Sequence, residues 1–505
     1  MIFDTQTLIA MFGLIGAVII GGALMAGPAE RTGLPGLAVF LLLGLVLGPF
    51  GLGLVNMTLD DPFLRVVSTL SLVLVLFTDA MTLDLGEVRR NKTLAALILG
   101  PGTLVAAFGL AGAAWWLLDL PLVAAIILGA AVASTDPVVL RGMLQGSGMP
   151  PRMHLALRLE SGMNDVLLLP IVMIALAFGV AGGTPPAGTL VSLLVSLFLL
   201  GPLAGIFVGV ASVRLLVLVR DRFGVRREYE SLYVIGVALT AFAAAEALGG
   251  SGFLAAFAAG LVVSSLDVEL CDCFLEYGQV TAEMALLFTY VLLGTSPIWS
   301  GIGVIGPAAL LFVAIVLLVR LPIFAVALGA VGLTLRERLT LGWYGPRGLG
   351  VLLLALIAVF GDLPDGERVV ALASLVVLVS VALQGGWPLL RRRRRTPSSA
   401  PAPVLAPQQR LTEGEFIPLM PTAGQVEAIP LMPAPGLPER MNLEQMRLHR
   451  SRGEPVVLID VRTERSYRAT ETMADGALRV PPDRAVAALK AFGVPSEAWV
   501  VAYCT

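Results

Sequence analysis

One short segment of the chain, residues 159–165, carries two carboxylates, a hydroxyl and an amide at helical spacing. Ser161 and Asp165 are four residues apart and share one face of a helix, while Glu160 and Asn164 share the neighbouring face. The cluster lies inside a predicted span, residues 156–180, and ionisable residues at bilayer depth mark functional sites. The alternative is a helix end exposed to water, because a long apolar run follows directly and the cluster could occupy the first two turns.

A second segment, residues 133–137, reads Ala-Ser-Thr-Asp-Pro in the middle of another apolar stretch. Proline lacks an N–H and clashes with the preceding turn, so Pro137 should break the helix and leave the carbonyl of Ala133 without its helical partner. Unwound backbone at mid-membrane is tolerated only where it is buried or lines a cavity. The freed carbonyls and Asp136 would suit a small cation, and the alternative is a simple proline kink with a capping acid.

Two arginines also lie within apolar segments. Arg320 has no acid nearby in the sequence, so it needs a carboxylate from another span, and Glu160 is the first choice. Arg347 lies within Trp-Tyr-Gly-Pro-Arg-Gly-Leu-Gly, residues 343–350, where glycine and proline predict a second helix break. The alternatives are a boundary between two short spans at Arg320 and a loop at the second break. Asp79, in a further apolar segment, is a third candidate acid.

The elements that must position these residues are predicted to be membrane-spanning helices. Hydrophobic residues make up 57% of the 505 residues and charged residues only 14%, and the mean hydropathy is +0.88. This composition excludes an ordinary soluble enzyme and a disordered chain. Thirteen segments are long and apolar enough to cross a bilayer, at about residues 6–26, 34–52, 65–83, 93–118, 121–142, 156–180, 188–218, 231–248, 252–266, 280–297, 302–333, 339–360 and 367–390.

The distribution of basic residues predicts the orientation of the chain. Most loop arginines and lysines lie in one set of alternate loops, whereas the opposite set holds Arg65 and Arg368. By the positive-inside rule the first set is cytoplasmic, which places the N-terminus outside and the C-terminus inside the inner cell membrane. The apolar start lacks a basic lead and a cleavage site, so it is interpreted as a first span and not as a signal peptide.

The two predicted breaks fall in the fifth and twelfth apolar segments. If the seventh segment links segments 1–6 to segments 8–13, each half has a break at the same position and the halves start in opposite orientations. This arrangement is typical of inverted-repeat transporters, whose site forms where broken helices meet. The predicted fold of residues 1–390 is therefore an all-α polytopic membrane domain with thirteen helices in two inverted six-helix repeats.

The remainder of the chain has a different composition. Residues 391–440 are basic and then proline-rich, which predicts a linker, and they repeat the string IPLMP at 417–421 and 429–433. A stiff spacer is the favoured interpretation of the repeat, and a docking motif is the alternative. Residues 441–505 alternate helical and strand patterns and stop on a strand, so we expect part of a small α/β domain that continues beyond the sequence.

The order of these motifs carries a resemblance to a known family. Ser-Thr-Asp-Pro, then Glu-Ser-Gly-Met-Asn-Asp, an arginine in an apolar span and Gly-Pro-Arg-Gly occur in the order found in monovalent cation/proton antiporters. Over about 390 residues the chain resembles their sodium/proton exchangers of the NhaP and NHE type. The resemblance implies that a cation binds where two broken helices cross. It also implies that a six-helix core moves against a dimerising domain, so we expect a homodimer.

The resemblance also implies roles for individual residues. Asp165 would be the carboxylate that exchanges a proton for a cation. The other members of a Na⁺ site would be Asp136, Ser161, Thr135 through its backbone carbonyl, and Asp79. The supporting residues would be Glu160 and Arg320 as a buried ion pair, Asn164 beside Asp165, and Arg347 at the second break.

The C-terminal segment, residues 441–505, resembles a rhodanese-like domain. The shared features are Leu-Ile-Asp-Val-Arg, Tyr467, the Gly-Ala step at 476–477 and a strand that ends at Cys504, the residue that carries a persulfide in that family. The histidine that usually precedes the Gly-Ala step is absent, because the string here is Met-Ala-Asp-Gly-Ala-Leu. We therefore expect a regulatory tail and not an active sulfurtransferase.

Together these features predict a secondary antiporter that exchanges a monovalent cation for H⁺ in pH and cation homeostasis. Na⁺ is the first choice, with Li⁺ and K⁺ next. A buried carboxylate holds a proton or a cation but not both, and with Asp165 as the only exchanging carboxylate the process should be electroneutral. The chain contains no GxxxxGK[ST] motif, and neither a cofactor nor a nucleic-acid partner is expected. Two alternatives stay open: a cation channel or carrier gated by a redox-sensing tail, and a membrane-anchored sulfurtransferase.

Overall fold

The computed structural model describes most of the apolar part of the chain and the strands of the C-terminal part. The described residues are isolated positions between 13 and 24, then 36–83, 85–136, 140, 150–223, 227–266, 272–385, 455–461, 477–480, 489 and 498–503. The chain divides into two compact units, Met1–Ser398 and Ser399–Thr505. The predicted linker at 391–440 lies outside the described residues, and so does most of the predicted first span.

The described part of the first unit is helical. Its first helices are α1 Gly36–Leu47, α2 Pro62–Thr82, α3 Lys92–Leu118, α4 Leu122–Ala133, α5 Pro151–Val180, and α6, which runs from Ala187–Val195 through a π-helical turn into Gly201–Phe223. The later helices are α7 Arg227–Ala247, α8 Gly252–Ser265, α9 Asp272–Thr295, α10 Pro307–Val331, α11 Leu335–Trp343, α12 Leu349–Phe360 and α13 Gly366–Ser380.

Helices occupy the positions of the predicted spans from the second to the thirteenth. Among the described residues, six helices are long and apolar enough to cross a membrane by length and composition, or seven if a bent pair is counted as one span. That pair is Tyr277–Thr295 with Pro297–Gly303, bent by 60°. Shorter apolar helices such as α4, α8 and α12 fill other predicted positions. The count of thirteen spans stays a prediction.

Local sequence explains where α2 begins and why α3 widens. The Asp61 carboxylate accepts a hydrogen bond from the N–H of Phe63 at 2.8 Å, and Pro62 takes the first helical position, where its missing N–H costs nothing. Within α3, Pro101 cannot donate to the helical ladder, and the segment Ile98–Val105 around it is a π-helix.

The helices form two bundles. The first bundle contains α3, α4, α5 and α10–α13, in which α4 packs against α3, α5, α12 and α13. The second bundle contains α1, α2 and α6–α9, in which α8 packs against α2, α6 and α7, and α9 packs against α1, α2 and α7. Glycine allows close packing within each bundle, because a Cβ on Gly129 would overlap the backbone of Ala111 and one on Gly205 would overlap that of Ala255.

Both predicted helix breaks are confirmed by the backbone. Helix α4 ends at Ala133, and Ser134 then turns to an extended conformation with φ −60° and ψ 141°. Pro137 lies outside the described residues. In the twelfth predicted span, residues 344–348 are not helical and separate α11 from α12. The two predicted inverted repeats stay a prediction.

The second unit contains a three-stranded parallel sheet among its described residues, in the order β2-β1-β3. The strands are β1 Val456–Asp460, β2 Leu478–Arg479 and β3 Trp499–Tyr503. Parallel strands need crossover connections, which agrees with the expected α/β type. Ile459, Val480 and Leu489 pack together as a small core. Tyr467 and Cys504 lie outside the described residues, so the rhodanese-like interpretation stays a prediction.

Candidate functional site

The two helix breaks meet inside the first bundle. The N–H of Asp136 donates to the carbonyl of Pro346 at 2.9 Å, which joins segment 134–136 to segment 344–348. A Cβ on Gly348 would overlap the Asp136 carboxylate, so only glycine permits this approach. Asp136 is 3% exposed, and the crossing is therefore buried.

Each break satisfies the helix end that the other one exposes. The Asp136 Oδ2 atom accepts the N–H of Leu349 at 2.8 Å, at the N-terminus of α12. The Arg347 Nη1 atom donates to the carbonyls of Ala133 and Ser134 at 2.7 and 2.8 Å, at the C-terminus of α4. A helix carries partial positive charge at its N-terminus and partial negative charge at its C-terminus. The acid and the arginine therefore each lie against a helix end of opposite sign.

This capping corrects one expectation from the sequence, namely that the carbonyl of Ala133 would be free to bind a cation. Arg347 donates to that carbonyl, and so does the Asn164 Nδ2 atom, at 3.2 Å. The prediction is wrong because side chains from two other helices replace the missing backbone donor. Asn164 also lies 3.4 Å from the Thr135 hydroxyl, so its amide holds α5 against the break and does not hold Asp165 directly.

Asp165 lies beside the crossing. Among the described residues it forms no ion pair. The Ser134 hydroxyl donates to its Oδ1 atom at 2.5 Å, and the residue is 7% exposed. A Cβ on Gly350 would lie 3.1 Å from its Oδ2 atom, so the first turn of α12 passes close to it. Asp165, which lies on α5, is thus placed between the break after α4 and the start of α12.

The other predicted ligands occupy different positions. Thr135 lies at the break, and Ser161 lies one turn before Asp165 on α5, where its hydroxyl donates to the carbonyl of Arg158 at 3.4 Å. Asp79 is buried in α2, a helix of the second bundle, whereas Asp165 lies on α5 of the first. The hydroxyl that contacts Asp165 is therefore that of Ser134, which the sequence analysis did not single out.

Glu160 and Arg320 form a buried ion pair. The Arg320 Nη2 atom lies 2.5 Å from the Glu160 Oε2 atom, and the two side chains are 3% and 5% exposed. The guanidinium also lies over the ring of Phe324, 4.8 Å from its centroid. A Cβ on Gly345 would coincide with this guanidinium, so the second break provides the space for it. The burial of both charges rules out a water-exposed helix end as the setting of this pair.

Two further polar groups support the crossing, and sequence reasoning missed both. The Ser380 hydroxyl accepts the N–H of Arg347 at 2.8 Å and donates to Gln384 Oε1 at 2.8 Å. The Tyr290 hydroxyl donates to Asp136 Oδ2 at 3.1 Å. Ser380 and Gln384 are four residues apart in an apolar helix, which is a detectable signal. Tyr290 carries no such local signal.

Comparison with known proteins identifies the class of this fold and site. Residues 15–389 match the family model of the transmembrane sodium/hydrogen exchangers, and the chain belongs to that family. The match and the long apolar helices together make it an integral membrane protein.

Individual relatives are more distant. The chain is 28% identical over 387 residues to the K(+)/H(+) antiporter NhaP2 of Shewanella sp. (strain ANA-3). This alignment covers 74% of this chain and 65% of the relative. It is 24% identical over 440 residues to the probable Na(+)/H(+) antiporter 2 of Methanocaldococcus jannaschii, over 77% of this chain and all of that protein. The chain therefore spans less than two thirds of the length of the NhaP2 relative.

A solved structure supports the fold. The sodium proton antiporter MjNhaP1 from Methanocaldococcus jannaschii superposes with a TM-score of 0.61 at 21% identity, over 76% of this chain and 98% of that one. At this identity the similarity concerns the fold alone.

The buried ion pair yields a prediction about stability. Glu160→Gln or Arg320→Ala should lower the stability by about 3–5 kcal/mol, because each change leaves a charge buried without its partner. Thermal unfolding of the purified protein in detergent measures the loss. Glu246→Gln is the matched control, since Glu246 is exposed and accepts the N–H of Gly252. Single variants as stable as this control would contradict a structural role for the pair.

Proposed function

We propose that the chain is a secondary antiporter that exchanges a monovalent cation for H⁺ at Asp165. The observation that carries this proposal is a buried carboxylate at the crossing of two broken helices, bonded to a neutral hydroxyl and without an ion pair in the described residues. A charge in such a place is costly unless it is neutralised, and a proton or a cation can do so. The relatives described above, which are named as cation/proton antiporters, support the same reaction.

Obligatory exchange follows from the two ways of neutralising Asp165. A carboxylate with a proton and a carboxylate with a cation can both move through an apolar surrounding, whereas the empty ionised form cannot move easily. Each passage across the membrane then carries one of the two ions. The cycle needs no covalent chemistry, so the protein acts as a transporter and not as an enzyme, and no cofactor takes part in it.

The cation ligands are proposed from the oxygens near Asp165. The proposed ligands are the carboxylate of Asp165, the hydroxyl of Ser134 and the backbone carbonyl of Thr135, and Ser161 and Asp79 are the further candidates from the sequence. Asp136 serves mainly to hold the crossing, because its Oδ2 atom already accepts two hydrogen bonds. Na⁺ is the proposed cation, and K⁺, which the NhaP2 relative's name specifies, is the competing choice.

The membrane, the orientation, the oligomeric state and the role of the tail are proposed from the sequence. We propose the inner cell membrane, with the N-terminus outside and the C-terminus in the cytoplasm, because the basic loops favour that orientation. A homodimer follows from the family resemblance. The tail, including Cys504, is proposed to regulate transport. The family match does not favour a channel or a sulfurtransferase.

Asp165→Asn should abolish exchange while the protein still folds and inserts. An amide can neither release a proton nor neutralise a cation. Cation-driven proton movement in proteoliposomes, compared for Na⁺, Li⁺ and K⁺, measures the loss and also identifies the transported ion. Asp119→Asn provides the same isosteric change at an exposed position with φ 50°, which asparagine tolerates. Turnover of Asp165→Asn at the control's rate would contradict the site assignment.

Ser134 and Ser161 should differ in their effect on cation affinity. Ser134→Ala removes the hydroxyl on Asp165, and we expect the KM for the cation to rise roughly tenfold, the effect of about 1.4 kcal/mol. Ser161→Ala should change the KM less, because that hydroxyl lies on a backbone carbonyl. Initial rates over a range of cation concentrations separate the two, and Ser134→Thr should retain most of the affinity. A larger effect at Ser161 would return the ligand role to that residue.

Exchange should be electroneutral. Glu160 is balanced by Arg320, and the Asp136 Oδ2 atom accepts hydrogen bonds from Tyr290 and Leu349, so in this proposal Asp165 alone changes its occupant. One proton then moves against one cation, and no net charge crosses the membrane. Exchange in proteoliposomes should run at the same rate with the membrane potential clamped at zero and with a potential imposed. Acceleration by the potential would show that a second acid titrates, with Asp136 and Asp79 as the suspects.

A further inference from the structure

One hydroxyl from the second bundle reaches the crossing in the first. Tyr290 on α9 is 1% exposed, and its hydroxyl donates to the Oδ2 atom of Asp136 at 3.1 Å. The same oxygen accepts the N–H of Leu349 at 2.8 Å. A single carboxylate oxygen thus connects α9 of the second bundle with the break after α4 and the start of α12.

Tyr290 is fixed to the second bundle by its own neighbours. The residue before it, Thr289, shares a hydrogen bond of 2.8 Å between its hydroxyl and that of Ser71 on α2. The Ser71 hydroxyl also lies 2.9 Å from the carbonyl of Ala285, one turn earlier on α9. On another side of α9, a Cβ on Gly294 would lie 2.6 Å from a backbone carbonyl of α1. Any displacement of the second bundle therefore displaces Tyr290.

Other described contacts between the bundles are of a different kind. Helix α2 packs against α5 and α12, and the segment Pro297–Gly303 that follows α9 packs against α13. The α2 contacts include the guanidinium of Arg65 over the ring of Phe360, 5.3 Å from the centroid. These α2 contacts tolerate sliding better than a hydrogen bond to a carboxylate, because they are less directional.

We propose that Tyr290 is a positioning residue that tethers the second bundle to Asp136 in this conformation, and that the tether breaks whenever the bundles move during exchange. The proposal rests on the proposed function, because alternating access requires one bundle to move against the other around the site. Asp136 keeps its bonds to Leu349 and Pro346 without Tyr290. Loss of the tether should therefore act on the rate of movement and not on the binding of the cation.

Tyr290→Phe tests the tether, because it keeps the buried ring and removes only the hydroxyl. In proteoliposomes we expect kcat to rise roughly five- to tenfold, as for the loss of a hydrogen bond worth about 1–1.4 kcal/mol in the starting state. The KM for Na⁺ should stay within about twofold, since the KM and kcat report different interactions. Tyr233→Phe is the matched control, because its hydroxyl donates to the carbonyl of Ser212 at 3.0 Å, within the second bundle. We expect wild-type kinetics from it.

Several outcomes would overturn the tether. A raised KM with unchanged kcat would place Tyr290 in cation binding, a lowered kcat would make the hydroxyl a requirement for movement, and no change would leave it without a role in transport. Absence of cation-driven proton movement in the wild-type protein would instead contradict the proposed function.

Hydrogen exchange tests the tether without transport. In the purified protein, the α2 segment that contacts the first bundle should exchange faster in Tyr290→Phe than in the wild type or in Tyr233→Phe. Equal exchange in all three proteins would contradict the tether, whatever the transport assay shows.

Discussion

Two helices end in the interior of a membrane protein, where no water is available to satisfy their terminal backbone groups, and the architecture of the site depends on how those groups are satisfied. Asp136 accepts an N–H at the start of α12, and Arg347 donates to two carbonyls at the end of α4. Each of these side chains comes from the opposite break, so these hydrogen bonds form only when the two segments cross. The crossing is thus specified by hydrogen bonding as well as by packing.

The same capping determines the partners of both buried arginines near the crossing. Arg347 is committed to carbonyl oxygens and Arg320 to Glu160, so neither arginine forms an ion pair with Asp165 in the described residues. A basic side chain paired with Asp165 would neutralise the carboxylate permanently, and no transported ion would then be needed. In the proposed function, these fixed partners leave Asp165 as the carboxylate whose partner can change.

Sequence reasoning was most successful where a local pattern has one physical outcome. The broken spans followed from proline and glycine in apolar runs, and Arg320 needed an acid that only another span could supply. It failed where partners come from distant parts of the chain. The Ala133 carbonyl is satisfied by Asn164 and Arg347, and Tyr290 reaches Asp136 from 154 positions away. No periodicity or spacing signals such contacts, because a tyrosine on an apolar helix is also an ordinary core residue.

The identity of the neutral partner of Asp165 has a further chemical consequence. A serine hydroxyl can donate one hydrogen bond and accept others, and its proton rotates freely to suit its neighbour. Ser134 can therefore donate to the ionised carboxylate, accept from the protonated one, or turn its oxygen lone pairs towards a cation at nearly the same position. A lysine in its place would favour only the ionised form, and an apolar residue would leave the carboxylate without a partner. Small, neutral and rotatable groups are thus suited to the proposed site, which would hold two different ions in turn without rebuilding its backbone.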